Sequence, residues 1–315
     1  MILDLHDPAL DEYREEAAKF SDAFAEAMAT RPPPDFSTPE GLAAARDISS
    51  FHFDGGETDL GITPEDRVVS AGGADVPVRI FRPAGDARGV YLDIHGGGFY
   101  LGSARMGDIR NARSAETLNV AVVSVEYRLA PEHPWPAGPD DCETAAHWLL
   151  DHAADEFGAS NLLIGGASAG ANLAVATLLR VRDRHDAVDR FVGANLLYGP
   201  YDLSNYSPSG QIHEVASAVF RPQYMGHVPR EDRTNPDISP LYADLHHMPS
   251  ALFSVGARDG LFEDNIAMAA RWAAAGNECE LDVYPDSPHG FDVFPMRMAE
   301  VARDKTLRYL DSRLP

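Results

Sequence analysis

The stretch Asn161-Leu162-Leu163-Ile164-Gly165-Gly166-Ala167-Ser168-Ala169-Gly170-Ala171-Asn172-Leu173-Ala174 decides the fold. Asn161–Ile164 is a short apolar run of the kind that forms a buried strand, and Ala169–Arg182 has a helical pattern. Between them stands Gly166-Ala167-Ser168-Ala169-Gly170, a G-x-S-x-G pentapeptide in a strand-turn-helix setting. In that setting the serine occupies a strained turn, the flanking glycines let neighbouring backbone pass close, and the hydroxyl projects above the sheet. The helix N-terminus favours developing negative charge. In a chain with 26 glycines the pentapeptide alone carries little weight. Its place between strand and helix is what marks Ser168 as a nucleophile.

Outward from this turn, strands and helices alternate. Gly89–Ile94, Val120–Glu126, Phe191–Leu197, Ala251–Val255 and Glu280–Tyr284 read as strands. Pro139–Phe157, Glu263–Ala275 and Met296–Leu310 read as helices. The alternation predicts an α/β fold with a mostly parallel sheet covered by helices on both faces. Arg67–Ser70 and Val76–Arg82 read as a hairpin ahead of it. Leu10, Tyr13, Ala17, Phe20, Phe24 and Met28 recur at helical spacing over residues 8–30, and Arg31-Pro32-Pro33-Pro34 stops that helix. Residues 35–62 read as a connector. Two segments break the rhythm, and they divide the chain into a core of residues 51–200 and 241–315 and a cap of residues 1–50 plus 201–240. Phe20, Phe24, Met28, Tyr201, Tyr206, Phe220, Tyr224 and Met225 are the cap's large apolar residues. Most of them are expected to hold the cap onto the core rather than line a pocket.

Composition excludes several classes of function. Apolar residues make up 44% of the 315-residue chain, enough for a sizeable core. Lys+Arg is 26 against Asp+Glu 49, a net charge of −23, which repels phosphate backbones and anionic membranes. No apolar run reaches membrane-spanning length. The acidic N-terminus does not read as a secretory signal, so a cytoplasmic location is expected. Cys142 and Cys279 suggest neither a disulfide framework nor a zinc site, and His246-His247 lack ligand partners at metal spacing.

Three further loops carry chemistry. His95-Gly96-Gly97-Gly98-Phe99 follows a strand directly, and a glycine run can turn its amides toward an oxyanion. His95 itself reads as a structural residue of that loop. Ser287-Pro288-His289-Gly290-Phe291 puts a histidine beyond the last strand, where it can reach a nucleophile. Gly256-Ala257-Arg258-Asp259-Gly260-Leu261 follows the strand ALFSV, and an acid there could orient His289 through Nδ1. Asp264 and Asp286 are the rivals for that role. The order Ser168, Asp259, His289 is the Ser…Asp/Glu…His order of the α/β-hydrolases.

HGGGF, the run Tyr127–Ala137 (YRLAPEHPWPA), GASAGANLA over Gly166–Ala174, the Asp259-Gly260-Leu261 turn and the HGF turn together resemble the hormone-sensitive-lipase-like esterases of the α/β-hydrolase fold. The resemblance spans roughly residues 65–315 and implies an eight-stranded sheet with a helical cap. It also implies carboxylesterase activity on small ester substrates without a cofactor or metal. It assigns Ser168 as nucleophile, Asp259 as acid and His289 as base, with Gly97, Gly98 and Ala169 as oxyanion donors. Members often pair through the last strand, so a homodimer through Glu280–Tyr284 is expected. The chain departs from the pattern twice: Ala167 stands where the family usually has Asp, and Gly260 where the acid's turn often has Pro. The proline-rich run is read as a buttress for the glycine loop. The alternatives are hydrolysis of amides, N-acetyl groups or lactones on the same residues, or a ligand receptor without catalysis. The presence of His289 argues against the receptor.

Overall fold

The computed structural model describes residues 5, 7–30, 38–49, 61–206 and 222–315. Eight strands form one sheet in the order β1-β2-β4-β3-β5-β6-β7-β8. They are β1 (Glu65–Ala71), β2 (Ala74–Phe81), β3 (Val90–Ile94), β4 (Ala121–Val125), β5 (Leu162–Ala167), β6 (Phe191–Leu197), β7 (Ala251–Gly256) and β8 (Cys279–Tyr284). β2 runs antiparallel to both β1 and β4, and every other pairing is parallel. All residues of β3, β4 and β5 are buried, because helices cover both faces of the sheet there. β8 is an edge strand and only partly buried.

Among the described residues the longer helices are α1 (Arg14–Ala29), α2 (Pro39–Ser49), α3 (Asp108–Leu118), α4 (Ala137–Phe157), α5 (Ala169–Arg180), α6 (Phe262–Ala274) and α7 (Arg297–Ser312). One face of the sheet packs against α4, α5 and α6 through Trp148, Leu149, Leu173, Leu178, Met268 and Trp272. The other packs against α3 and α7 through Ala112, Ala115, Tyr309 and Leu310. α1 lies against α7, where Phe20 and Phe24 meet the ring of Phe294 at 4.8 and 5.0 Å between centroids.

Two helices were not foreseen. α3 has the sequence DIRNARSAETL, whose charged and polar residues mask a narrow stripe of Ala112, Ala115 and Leu118. α2 lies inside the expected connector and packs Leu42 and Ala45 inward. The apolar residues expected to belong to a cap divide. Tyr201, Tyr224 and Met225 are buried in the main core, while Met28 and Tyr206 are about half exposed. Phe220 falls outside the described residues. Trp135 Nε1–H donates to Asp237 Oδ2 at 2.9 Å, and Arg180 bonds the same carboxylate, so the stretch around Asp237 is tied to α5 and to the run just ahead of α4.

Candidate active site

The parallel strands end on one edge of the sheet, where the loops after β3, β5, β6, β7 and β8 meet. Ser168 caps α5 with φ 54° and ψ −120°, a conformation that costs energy for a residue with a side chain. The surrounding packing enforces it. Ser168 N–H donates to Leu197 O at 2.8 Å, and Gly170 lies directly against the carbonyls of Ile94 and His95. The turn cannot relax without opening the contact between α5 and β3.

His289 stands on the loop after β8, followed by Gly290. Its Nε2 lies 3.1 Å from Ser168 Oγ and its Nδ1 lies 2.8 Å from Asp259 Oδ2. Asp259 is buried at the end of the β7 loop, and its other oxygen accepts the Leu261 amide at 2.8 Å. Desolvation works to lower the His289 pKa. The Asp259 charge, its hydrogen bond and the Asp292 charge outweigh this, and the net shift is above the ordinary 6.5.

The two rival acids point elsewhere. Asp264 is wholly buried and accepts the backbone amides of Tyr201 and Asp202, the latter at 3.1 Å. Asp286 faces away from the imidazole toward Arg14 Nε at 3.0 Å and Arg258 Nη2 at 3.0 Å. Partial burial would raise its pKa, but the two guanidiniums hold it below the usual carboxylate range.

The glycine loop lies beside this group. Gly97 has φ 121°, and a Cβ there would stand 2.1 Å from Leu101 O, so only glycine fits. Gly97 O accepts the amides of Tyr100 and Leu101, which turns the chain back on itself. Among the described residues, no backbone carbonyl or side chain takes the N–H of Gly97 or Gly98, and Ala169 N–H opens α5, where no intrahelical partner exists. His95 is buried against Tyr127, with rings 4.1 Å apart and nearly parallel, and burial lowers its pKa to about 4. A neutral imidazole held this way is a wall of the loop. The run Tyr127–Ala137 braces the loop: Tyr127 O–H donates to His95 O at 3.0 Å and Ala130 N–H to Phe99 O at 3.0 Å.

Sequence reasoning missed Arg46 of α2. It donates to the carbonyls of Tyr100 and Ala130 and to both oxygens of Glu132, joining three segments behind the glycine loop. Its only signal was a basic residue inside the supposed connector.

A family model described as alpha/beta hydrolase fold matches residues 91–293. Among curated relatives, the carboxylesterase NlhH of Mycobacterium tuberculosis is 32% identical over 74% of this chain and 76% of its own length. The carboxylic ester hydrolase LipN of the same organism is 33% identical over 69% of this chain and 61% of its own length. A hormone-sensitive lipase from a metagenome library has a solved structure that superposes with a TM-score of 0.77 at 26% identity, covering 94% of this chain and 98% of its own. With the family model spanning more than half of the chain and this architecture beneath it, the chain belongs to the α/β-hydrolase family, among its hormone-sensitive-lipase-like esterases.

Proposed function

We propose that the chain is a carboxylesterase that hydrolyses short-chain acyl esters through an acyl-enzyme on Ser168. The observation that carries this reading is the His289 bridge, with Nε2 3.1 Å from Ser168 Oγ and Nδ1 2.8 Å from Asp259 Oδ2. Ser168 Oγ attacks the ester carbonyl carbon as its proton passes to His289 Nε2. The amides of Gly97, Gly98 and Ala169 donate to the oxyanion of the tetrahedral intermediate, and one such donor is worth about 3–4 kcal/mol. The imidazolium gives its proton to the departing alkoxide. Water, deprotonated by the same imidazole, then attacks the acyl-enzyme and frees the acid and Ser168. Asp259 keeps the proton of His289 on Nδ1 and stabilises the imidazolium.

In this reading residues 1–50 and 201–240 form the cap over that edge of the sheet. The acidic surface supports small dispersed esters over anionic interfaces as substrates. Turnover of p-nitrophenyl esters from acetate to palmitate, beside the matching anilides, tests the proposal. Acetate or butyrate should be fastest, and the anilides slower by orders of magnitude. Faster cleavage of anilides, or of long-chain triglyceride emulsion over butyrate, would overturn it.

The exposed edge of β8 supports a homodimer in which two copies of that strand meet. A one-chain mass by analytical ultracentrifugation at micromolar concentration would refute this pairing.

A further inference from the structure

We propose that Tyr198 and Asp292 act as a positioning pair for His289, fixing the imidazole from the β6 side while Asp259 holds it from the β7 side. The inference rests on reading His289 as the general base.

The loop that carries His289 has little structure of its own. Pro288 and Gly290 flank the histidine, a short 3-10 turn (Phe291–Val293) follows, and the imidazole side chain is 45% exposed. One hydrogen bond to Asp259 does not fix the tilt of a ring. Tyr198 supplies a second constraint. It follows β6 with φ 40° and is buried, and its N–H donates to Ser254 O at 2.8 Å. The preceding carbonyl, Leu197 O, anchors the amide of Ser168. The Tyr198 ring therefore has the same local frame as the nucleophile, and it meets the imidazole at 68° with centroids 4.8 Å apart.

The Tyr198 hydroxyl donates to Asp292 Oδ1 at 2.5 Å. Asp292 lies three residues beyond His289 on the same loop and is 3% exposed. Its backbone carbonyl accepts Arg303 Nη1 of α7, so the loop is held at this residue by side chain and backbone. Burial and the neighbouring carboxylate push the phenol pKa well up, which keeps the hydroxyl protonated as a donor.

A buried carboxylate is costly, and an amide or an apolar residue would fill the same space with less desolvation. What the charge adds is a second anion near the imidazole, favouring the imidazolium that forms when Ser168 gives up its proton. Among the described residues, the groups around the ring are Asp259 from the loop after β7, Asp292 from its own loop, Tyr198 after β6 and Ser168 after β5. Arg110 of α3 acts on Asp292 electrostatically and also pairs with Asp93, so it moderates the Asp292 charge without cancelling it. Nothing in the sequence motifs marks either residue, because the pair exists only where β6 and the His loop meet.

The test is steady-state hydrolysis of p-nitrophenyl butyrate from pH 5 to 9 by wild type, Tyr198→Phe, Asp292→Asn, the double variant, and Ser168→Ala and His289→Ala as controls. Tyr198→Phe keeps the ring and loses the bond to Asp292; it should lower kcat about tenfold with KM within about twofold, as expected for misplaced catalytic groups. Asp292→Asn should lower kcat similarly and move the acid limb of kcat/KM to lower pH, a change that a merely structural role would not produce. The double variant should be no worse than the poorer single, since the two act as one unit. The proposal is overturned if both single variants keep wild-type kcat and acid limb, or if their losses multiply. Should one variant fail to fold, the other decides by the same readouts. Wild-type turnover by Ser168→Ala or His289→Ala would instead overturn the reading of the triad beneath it.

Discussion

A Cβ atom on Gly170 would stand 2.0 Å from the carbonyl oxygen of Ile94. Helix α5 therefore begins in contact with the end of β3, and the serine turn is wedged between two elements that cannot separate. Gly170→Ala should destabilise the protein by about 3 kcal/mol or more, because the clash is with backbone and not with a side chain that can swing aside. Thermal unfolding followed by circular dichroism should show a midpoint lowered by roughly 5–10 °C. A wild-type midpoint would mean that the turn is looser than this contact implies.

Ser168 holds φ 54° with a side chain attached, and glycine would hold it without strain. Ser168→Gly should therefore remove ester hydrolysis while raising the unfolding midpoint, a gain on the order of 1 kcal/mol. Ser168→Ala should remove activity and keep the fold, with little change in midpoint. Burst kinetics and a melting curve on the same preparations check both, and residual turnover near wild type in either variant would refute the nucleophile assignment.

As the proposed base, His289 must be neutral to accept the Ser168 proton; desolvation works to lower its pKa, and the charge and hydrogen bond of Asp259 outweigh this and raise it above 6.5. A raised pKa places the acid limb of kcat/KM at a pH above 6.5, with activity lost as pH falls through it. The linked stability has the opposite sense: the protonated, Asp259-paired form contributes fully below the unfolded pKa, and that contribution is lost as pH rises through the folded pKa. A kcat/KM profile flat down to pH 5 would count against His289 as the base.

The three acids near the last two loops should separate in one kinetic experiment. Asp259→Asn removes the carboxylate that faces Nδ1 and should lower kcat by about 10⁴-fold, the scale set by amidating a triad acid elsewhere. Asp286→Asn disturbs only its pairs with Arg14 and Arg258 at the surface and should leave kcat within about threefold. Asp264→Asn should chiefly lower stability, because that carboxylate accepts two buried amides. A larger kcat loss in Asp286→Asn than in Asp259→Asn would reverse the assignment.

Arg180 is 5% exposed and bonds Asp237, Asp140 and Glu143. Replacing it with Met takes the buried cation from the half-buried carboxylates of Asp237 and Glu143, so Arg180→Met should cost about 3 kcal/mol. Urea unfolding should report this as a lower midpoint with an unchanged slope.

Local pattern was enough for the strands. Their runs, VYLDI, AVVSV and LLI, are short, bounded and mostly apolar, as burial on both faces requires, although the third strand continues through Gly165-Gly166-Ala167 beyond the stretch read from the sequence. It was also enough to nominate Ser168, His289 and Asp259, since each follows a strand and the strand ends of a parallel sheet share one edge. It was not enough for α3, whose apolar stripe is too narrow to stand out among charges, nor for α2, whose short amphipathic pattern lies in a stretch dominated by Gly and Asp.

What distinguishes Asp259 from Asp286 is tertiary. Both are acids within reach of His289 in the chain, and only the approach of α1 turns Asp286 outward to Arg14 while the β7 loop brings Asp259 to Nδ1. The same holds for Arg46 and for the Tyr198–Asp292 contact, 94 residues apart in sequence. The reach of a hydrogen bond is about 3 Å, and contacts of that range between distant residues depend on how whole elements pack. The sequence by itself determined which residues could carry the chemistry; the packing of elements decided which of them meet.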